Sequence, residues 1–206
     1  MKNKYTLYAG IIGPIIGIGA VLLSVSMSSS WFSWQENALS DLGVDTFGGT
    51  TAGIWTFNLG MIIAGVLSSI YAYGLYGLLT KNTTNKIGVI AVIIGGINLA
   101  LVGIFTEDWP TIHRLVAMTY FVFTPIGLII MGSGMLKKER TFGIITMITG
   151  ISALIAISTA ILIVFESPVA NGWPVGIAIP EMVEAVILAT WISGSALRFL
   201  KNKDGK

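Results

Sequence analysis

The 206-residue sequence has no cysteine and few charged residues. The absence of cysteine excludes disulfides, thiolate nucleophiles and cysteine-ligated metal or iron–sulfur sites. Charged residues make up 11% of the chain, against about 25% in a soluble domain. There is no run of Lys or Arg of the kind that binds nucleic acid. Because 54% of the residues are hydrophobic, the chain cannot cover itself with polar surface in water, so a bilayer is its expected solvent.

Six segments are long and apolar enough to cross a bilayer, which takes about 20 residues. They cover approximately residues 5–27, 52–80, 87–105, 111–136, 141–165 and 175–200. No segment has the composition of a soluble domain. The sequence therefore predicts an all-α fold, a single polytopic six-helix transmembrane bundle over residues 1–206, in which residues 28–51 form the longest loop.

The distribution of basic residues predicts the orientation of this bundle. Eleven of the twelve Lys and Arg fall at the two termini or in the second and fourth loops, and only Arg114 falls on the other side. Because basic loops stay on the cytoplasmic side, both termini are expected there, in a multi-pass protein of the cell membrane. Eight of the ten acidic residues map to the outer side.

Small residues recur at four-residue spacing in the first two predicted helices. The first helix has a GxxxG pattern at Gly13 and Gly17. The second helix has a stripe of Gly60, Ala64, Ser68 and Ala72. Such patterns allow membrane helices to approach closely, so these positions predict helix contacts.

The first outer loop, residues 28–51, carries acids and amides but no Lys or Arg. Within it, Asn37, Ser40 and Asp41 precede Gly43, in a pattern that fits either a local turn or a polar site. Asn58 lies about two turns into the second helix. Because an unpaired amide in hydrocarbon costs several kcal/mol, we expect this loop to fold back and bind Asn58.

The only histidine, His113, follows two acids and precedes Arg114. Carboxylates of Glu107, Asp108 and the first loop would favour its charged form and suit it to acid–base chemistry. A structural role is an alternative, and with carboxylates it could also ligate a divalent metal. Since no metal-binding spacing motif accompanies it, we assign no metal and no cofactor.

Two acids, Glu181 and Glu184, lie in the outer third of the sixth helix, at a spacing that places them on one face. Acids within membrane helices normally face the protein interior, a cavity or water. The alternative is that the helix begins near Pro180, which would leave both acids among the lipid headgroups.

The motif Asn37-x-Leu-Ser-Asp-Leu-Gly43, followed by Phe57-Asn58, by Gly103-Ile-Phe105 with Glu107-Asp108, and by His113, resembles the prokaryotic six-helix membrane proteins of domain-of-unknown-function family 998. The resemblance covers most of the chain and implies that Glu181 is that family's helix-six acid, although Met182 stands where members often have Arg. The S-D-x-G element before an Asn in helix two is more distantly similar to the Frag/DRAM/Sfk group, some of whose members are linked to lipid remodelling and distribution.

Three classes of function fit these features. One is a protein that binds or modifies a lipid headgroup; the others are a non-catalytic subunit or scaffold and a small transporter or ion pathway. The sequence does not decide whether the protein is an enzyme, and it indicates membrane lipids as partners but no nucleic acid. The catalytic candidates are His113, Asp41 and Glu181. The binding candidates are Asn37, Ser40, Asn58, Glu107, Asp108, Arg114 and Glu184.

Overall fold

The computed structural model describes residues 4–79, 82–166 and 176–204, without the side chains of 161–166 and 203–204. Within these ranges it has six α-helices and no strand. The helices are α1 (Lys4–Met27), α2 (Thr51–Leu79), α3 (Thr83–Ile104), α4 (Pro110–Met135), α5 (Arg140–Glu166) and α6 (Ala178–Asp204). All six are long and apolar enough to cross a membrane, which confirms the predicted all-α six-helix fold.

The helix bounds differ most from the predicted ones in α3 and α6. α3 begins at Thr83, four residues before the apolar run, because Asn82 caps it by accepting a hydrogen bond from the Asn85 N–H over 2.7 Å. α6 begins at Ala178 instead of residue 175. The predicted end of helix two at 80, position 175 and the basic residues Lys2, Lys81 and Lys206 lie outside the described residues.

The helices pack as a closed ring in chain order, since each contacts the next and α6 returns to α1. Alternate helices run in opposite directions, so the ring has two distinct ends. We call the end at which α2, α4 and α6 begin the acidic end, because the first loop and residues 105–109 lie there. The opposite end is the basic end, where Arg198 and Glu139 form a salt bridge of 2.7 Å.

Close contact between α1 and α2 confirms the prediction from their small residues. A Cβ atom on Gly17 would lie 3.0 Å from the Cβ of Ala64, and one on Gly60 would collide with Ala20. α2 also approaches α3 at Gly65, where a Cβ would collide with the backbone of Ala100. The sequence analysis did not single out this second contact, which lies on a different face of α2.

The first loop folds into the acidic end of the ring instead of extending away from it. Its centre is a 3₁₀ turn over Leu39–Gly43 that packs against α1, α2 and α6. Leu39, Leu42 and Val44 are buried, and Leu42 is only 1% exposed. Burial of these apolar side chains holds the polar residues of the turn against the helix ends.

Candidate functional site

Asp41 organises the 3₁₀ turn of the first loop from within. Its Oδ2 atom accepts hydrogen bonds from Asn37 Nδ2 at 2.7 Å and from the Ala38 backbone N–H at 3.0 Å. Asn37 in turn accepts from the Ser33 N–H through Oδ1 at 2.9 Å. Its own loop thus supplies two donors to the buried carboxylate of Asp41, which also interacts with Glu107 in the segment before α4.

Three hydrogen bonds fasten this turn to the helices. Asn58 Nδ2 on α2 donates to the Gly43 carbonyl at 2.9 Å, which confirms the expected contact between Asn58 and the loop. The Ala178 N–H at the start of α6 donates to the Asn37 carbonyl at 2.9 Å. Glu181 Oε2 accepts from the Leu39 N–H at 2.8 Å. The turn therefore joins two helices that are far apart in the sequence.

Ser40 connects the turn to the segment between α3 and α4. Its hydroxyl donates to Glu107 Oε1 at 2.5 Å. Burial, reinforced by the negative charges of Asp41 and Asp108 and partly opposed by the Ser40 bond, raises the pKa of Glu107 to about 7. Glu107 therefore changes its charge near neutral pH.

His113 lies in the first turns of α4 and is 4% exposed. Its Nδ1 atom is 2.7 Å from the backbone carbonyl of Phe105, which follows the last turn of α3. A carbonyl only accepts, so Nδ1 is the donor and carries the ring's proton in the neutral form. Among the described contacts, the ring's hydrogen-bond partner is thus a backbone carbonyl, and the carboxylates expected near His113 do not hydrogen-bond to the ring.

A cavity of about 100 Å³ lies inside the ring, between α1, α2, α3, α4 and α6. Leu39 and Ser40 of the turn, His113 and Glu181 line its end at the acidic side. The remainder of the wall is almost entirely apolar and reaches Ile192 on α6. Since a helix rises 1.5 Å per residue, the interval from Glu181 to Ile192 corresponds to a length of about 16 Å.

Nine of the ten predicted site residues separate into three groups. Ser40, His113 and Glu181 line the cavity. Asn37, Asp41, Asn58 and Glu107 hold the turn beside it. Asp108, which accepts from Thr106, and Arg114 are exposed and are not among the lining residues.

Glu184 is buried but does not line the cavity. Its side chain is fully buried, and neither carboxyl oxygen has a hydrogen-bond partner among the residues that the structure describes. The two acids of α6 therefore both face the protein interior, as one of the two sequence interpretations expects. Only Glu181 reaches the cavity.

The part of the wall that α4 contributes was not predicted from the sequence. Ala117 and Tyr120 line the cavity together with His113. The signal was present, because positions 113, 117 and 120 follow the i, i+4, i+7 spacing of one helix face. In an apolar membrane helix that spacing does not stand out.

A family model described as a protein of unknown function, DUF998, matches residues 11–198. The matched range contains every residue that fastens the turn or lines the cavity. Neither the search of curated proteins nor the search of solved structures finds a match.

Proposed function

This chain belongs to the DUF998 family of proteins of unknown function, and we propose that it is a cell-membrane protein that binds an amphiphilic lipid in the cavity of its helix ring. The lipid's polar group lies against Ser40, His113 and Glu181. Its apolar chain extends along the interior of the ring towards Ile192.

One observation carries this proposal, namely the unequal distribution of polar groups along the cavity. Among the described lining residues, three polar side chains are gathered at one end, while beyond Tyr120 there is a single polar side chain, Ser68. The apolar wall beyond the polar end favours a ligand with a hydrocarbon portion, whereas the polar end needs a partner that forms hydrogen bonds. Ligand pockets typically combine such an apolar lining with a few placed polar groups.

The orientation of the protein is part of the proposal. Basic residues flank the described helix ends at the basic end, among them Lys86, Lys138 and Lys201. Under the positive-inside rule this end faces the cytoplasm. The polar end of the cavity then lies at the depth of the outer headgroups, where a lipid's polar group resides.

The cavity distinguishes the proposed function from its two rivals. A transporter or ion pathway would need polar groups to continue towards the basic end, whereas the described lining becomes apolar there. A scaffold would need only the locked turn, with no cavity behind it. The more distant similarity to the Frag/DRAM/Sfk group stays a prediction.

The proposal is tested by filling the cavity. Ala117 lines the cavity, whereas Leu115, two residues earlier on α4, is 67% exposed. Ala117→Phe adds a ring inside the cavity, and Leu115→Phe is the matched control on the outer surface. Each full-length variant is isolated in a mild detergent, and retained lipid is measured by native mass spectrometry.

We expect the wild type and Leu115→Phe to retain a stoichiometric lipid and Ala117→Phe to lose it. Equal retention by all three proteins, at equal thermal stability, would show that the lipid binds elsewhere and would overturn the proposal.

A further inference from the structure

The polar end of the cavity presents hydrogen-bond acceptors in all three of its polar side chains. From this pattern we infer that the ligand carries a primary ammonium group, so that it is an amine-headed amphiphile. The inference rests on the proposed function, because it names the chemical class of the lipid that the same cavity binds.

His113 contributes the first acceptor. Because Nδ1 donates to the Phe105 carbonyl, the neutral ring leaves the lone pair of Nε2 available. No described residue hydrogen-bonds to Nε2, although the side chain is 4% exposed and lines the cavity. A ring nitrogen of a cavity-lining histidine that has no described partner is available to a ligand that donates to it.

Ser40 and Glu181 supply the other two acceptors. The Ser40 hydroxyl proton is engaged by Glu107, so the serine oxygen faces other groups only with its lone pairs. Glu181 Oε2 accepts from the Leu39 N–H, and no described residue donates to Oε1. Both side chains line the cavity beside His113.

A primary ammonium matches this arrangement in number and in charge. It carries three N–H donors and no acceptor, one donor for each of the three acceptors. Its positive charge is favoured by the acid Glu181 at the cavity and by Asp41 behind the turn, while the described lining contains no Lys or Arg. A phosphate or carboxylate would meet only acceptors and acids, and a hydroxyl would satisfy one acceptor of the three.

The experiment compares four amphiphiles with the same saturated chain: dodecylamine, dodecanol, dodecyl phosphate and dodecyltrimethylammonium. The full-length protein is placed in nanodiscs of neutral lipid at neutral pH, and binding is followed by NMR of the single histidine, labelled with 15N. Because the chain has one histidine, every shift of the ring nitrogens reports on His113.

We expect dodecylamine to bind at least tenfold more tightly than the other three and to shift the Nε2 resonance, because hydrogen bonds to a charged donor are worth a factor of about ten or more. The trimethylammonium compound has the charge without N–H donors, so it should bind more weakly than dodecylamine. Equal binding of the two cations would overturn the assignment to N–H donors, and tightest binding of the phosphate would overturn the ammonium assignment itself.

Glu181→Gln tests the site without removing the turn's contact, because the glutamine carbonyl can still accept from the Leu39 N–H. It should weaken dodecylamine about tenfold and leave dodecanol unchanged, since it removes a carboxylate that faces the ammonium. Glu36→Gln, at an exposed acid of the same loop, is the matched control and should change neither. An unchanged amine affinity in Glu181→Gln would contradict the inference.

Failure of this inference and failure of the proposed function give different experimental results. If all four amphiphiles bind equally and Ala117→Phe blocks them, the cavity binds chains without selecting an amine, and only this inference is wrong. If Ala117→Phe leaves the binding of all four unchanged, or if none of them binds, the proposed function is wrong as well.

Discussion

Asn58 on α2 donates a hydrogen bond from Nδ2 to the backbone carbonyl of Gly43, 2.9 Å away in the first loop. The two groups close the loop over the end of the ring. The fit is tight, because a Cβ on Gly43 would lie 2.5 Å from Asn58 Oδ1. This contact couples the position of the turn, and with it Ser40, to a membrane helix.

Asn58→Leu should loosen the first loop by about 1–3 kcal/mol, because the buried Gly43 carbonyl loses its partner. Amide hydrogen exchange of residues 37–44 measures the effect and should become faster. Asn98→Leu is the control, since the hydrogen bond that Asn98 forms among the described residues is to the Ile94 carbonyl of its own helix. If both variants exchange like the wild type, the coupling between Asn58 and the loop is absent.

Glu107 should make stability depend on pH in a defined direction. The pKa of its carboxyl group is 4.5 when the side chain is fully solvated, as in the unfolded chain, and about 7 in the folded protein. The folded state therefore holds this proton more tightly, and its contribution to stability, complete below pH 4.5, is lost as the pH rises through 7.

Thermal unfolding in detergent, measured at about pH 5 and about pH 8, tests this dependence of stability on pH. Glu107→Gln should become more stable relative to the wild type at the higher pH, because its side chain never ionises. Glu36→Gln, exposed on the same loop, should track the wild type. A constant difference between wild type and Glu107→Gln across this range would refute the shifted pKa.

A buried pair on α2 and α6 predicts an asymmetric effect of two substitutions. The hydroxyls of Tyr71 and Ser195 lie 2.5 Å apart, and Ser195 also donates to the Trp191 carbonyl. Tyr71 is therefore the donor of the pair. Ser195→Ala leaves the Tyr71 hydroxyl buried without a partner and should cost about 1–3 kcal/mol, whereas Tyr71→Phe should cost about 0.5–1.5 kcal/mol.

Unfolding measurements of both variants check this order. Tyr73→Phe, at a residue that is 69% exposed, is the control for the loss of a hydroxyl and should have little effect. A larger loss in Tyr71→Phe than in Ser195→Ala would mean that the donor assignment is reversed.

The orientation of the ring predicts the outcome of reporter insertions. Lys138 and Asp45 are both exposed, at the basic and acidic ends respectively. A reporter after Lys138 or after Lys206 should read as cytoplasmic and one at Asp45 as external, because basic loops are retained on the cytoplasmic side. An external signal from the Lys206 fusion would contradict the proposed topology.

The fold could be predicted from the sequence because a bilayer imposes one strong rule, a run of about 20 apolar residues per helix. The same rule explains the errors at helix ends. The first turn of α3 is polar and is held by the cap of Asn82, so it lies outside the apolar run. The contact of Asn58 with the first loop was equally predictable, since an amide within a membrane helix must have a partner.

The interior of the site was less accessible to sequence reasoning. Asp41 and His113 both suggest a shared polar pocket, but the direction of a loop side chain depends on tertiary contacts. In the structure Asp41 turns back to Asn37 and Ala38, whereas His113 lines the cavity. The helical spacing that joins Tyr120 to His113 was too weak a signal, because a tyrosine in an apolar helix is compatible with packing, with the membrane interface or with a binding site.

The central claim, that the ring holds a lipid chain, is tested most directly by determining the structure of the full-length protein in a native-lipid nanodisc. The account predicts elongated density of about 16 Å that runs from His113 and Glu181 to Ile192, with its polar end against Ser40. A cavity between these residues that is closed by side chains, or that holds only separate water molecules, would contradict it.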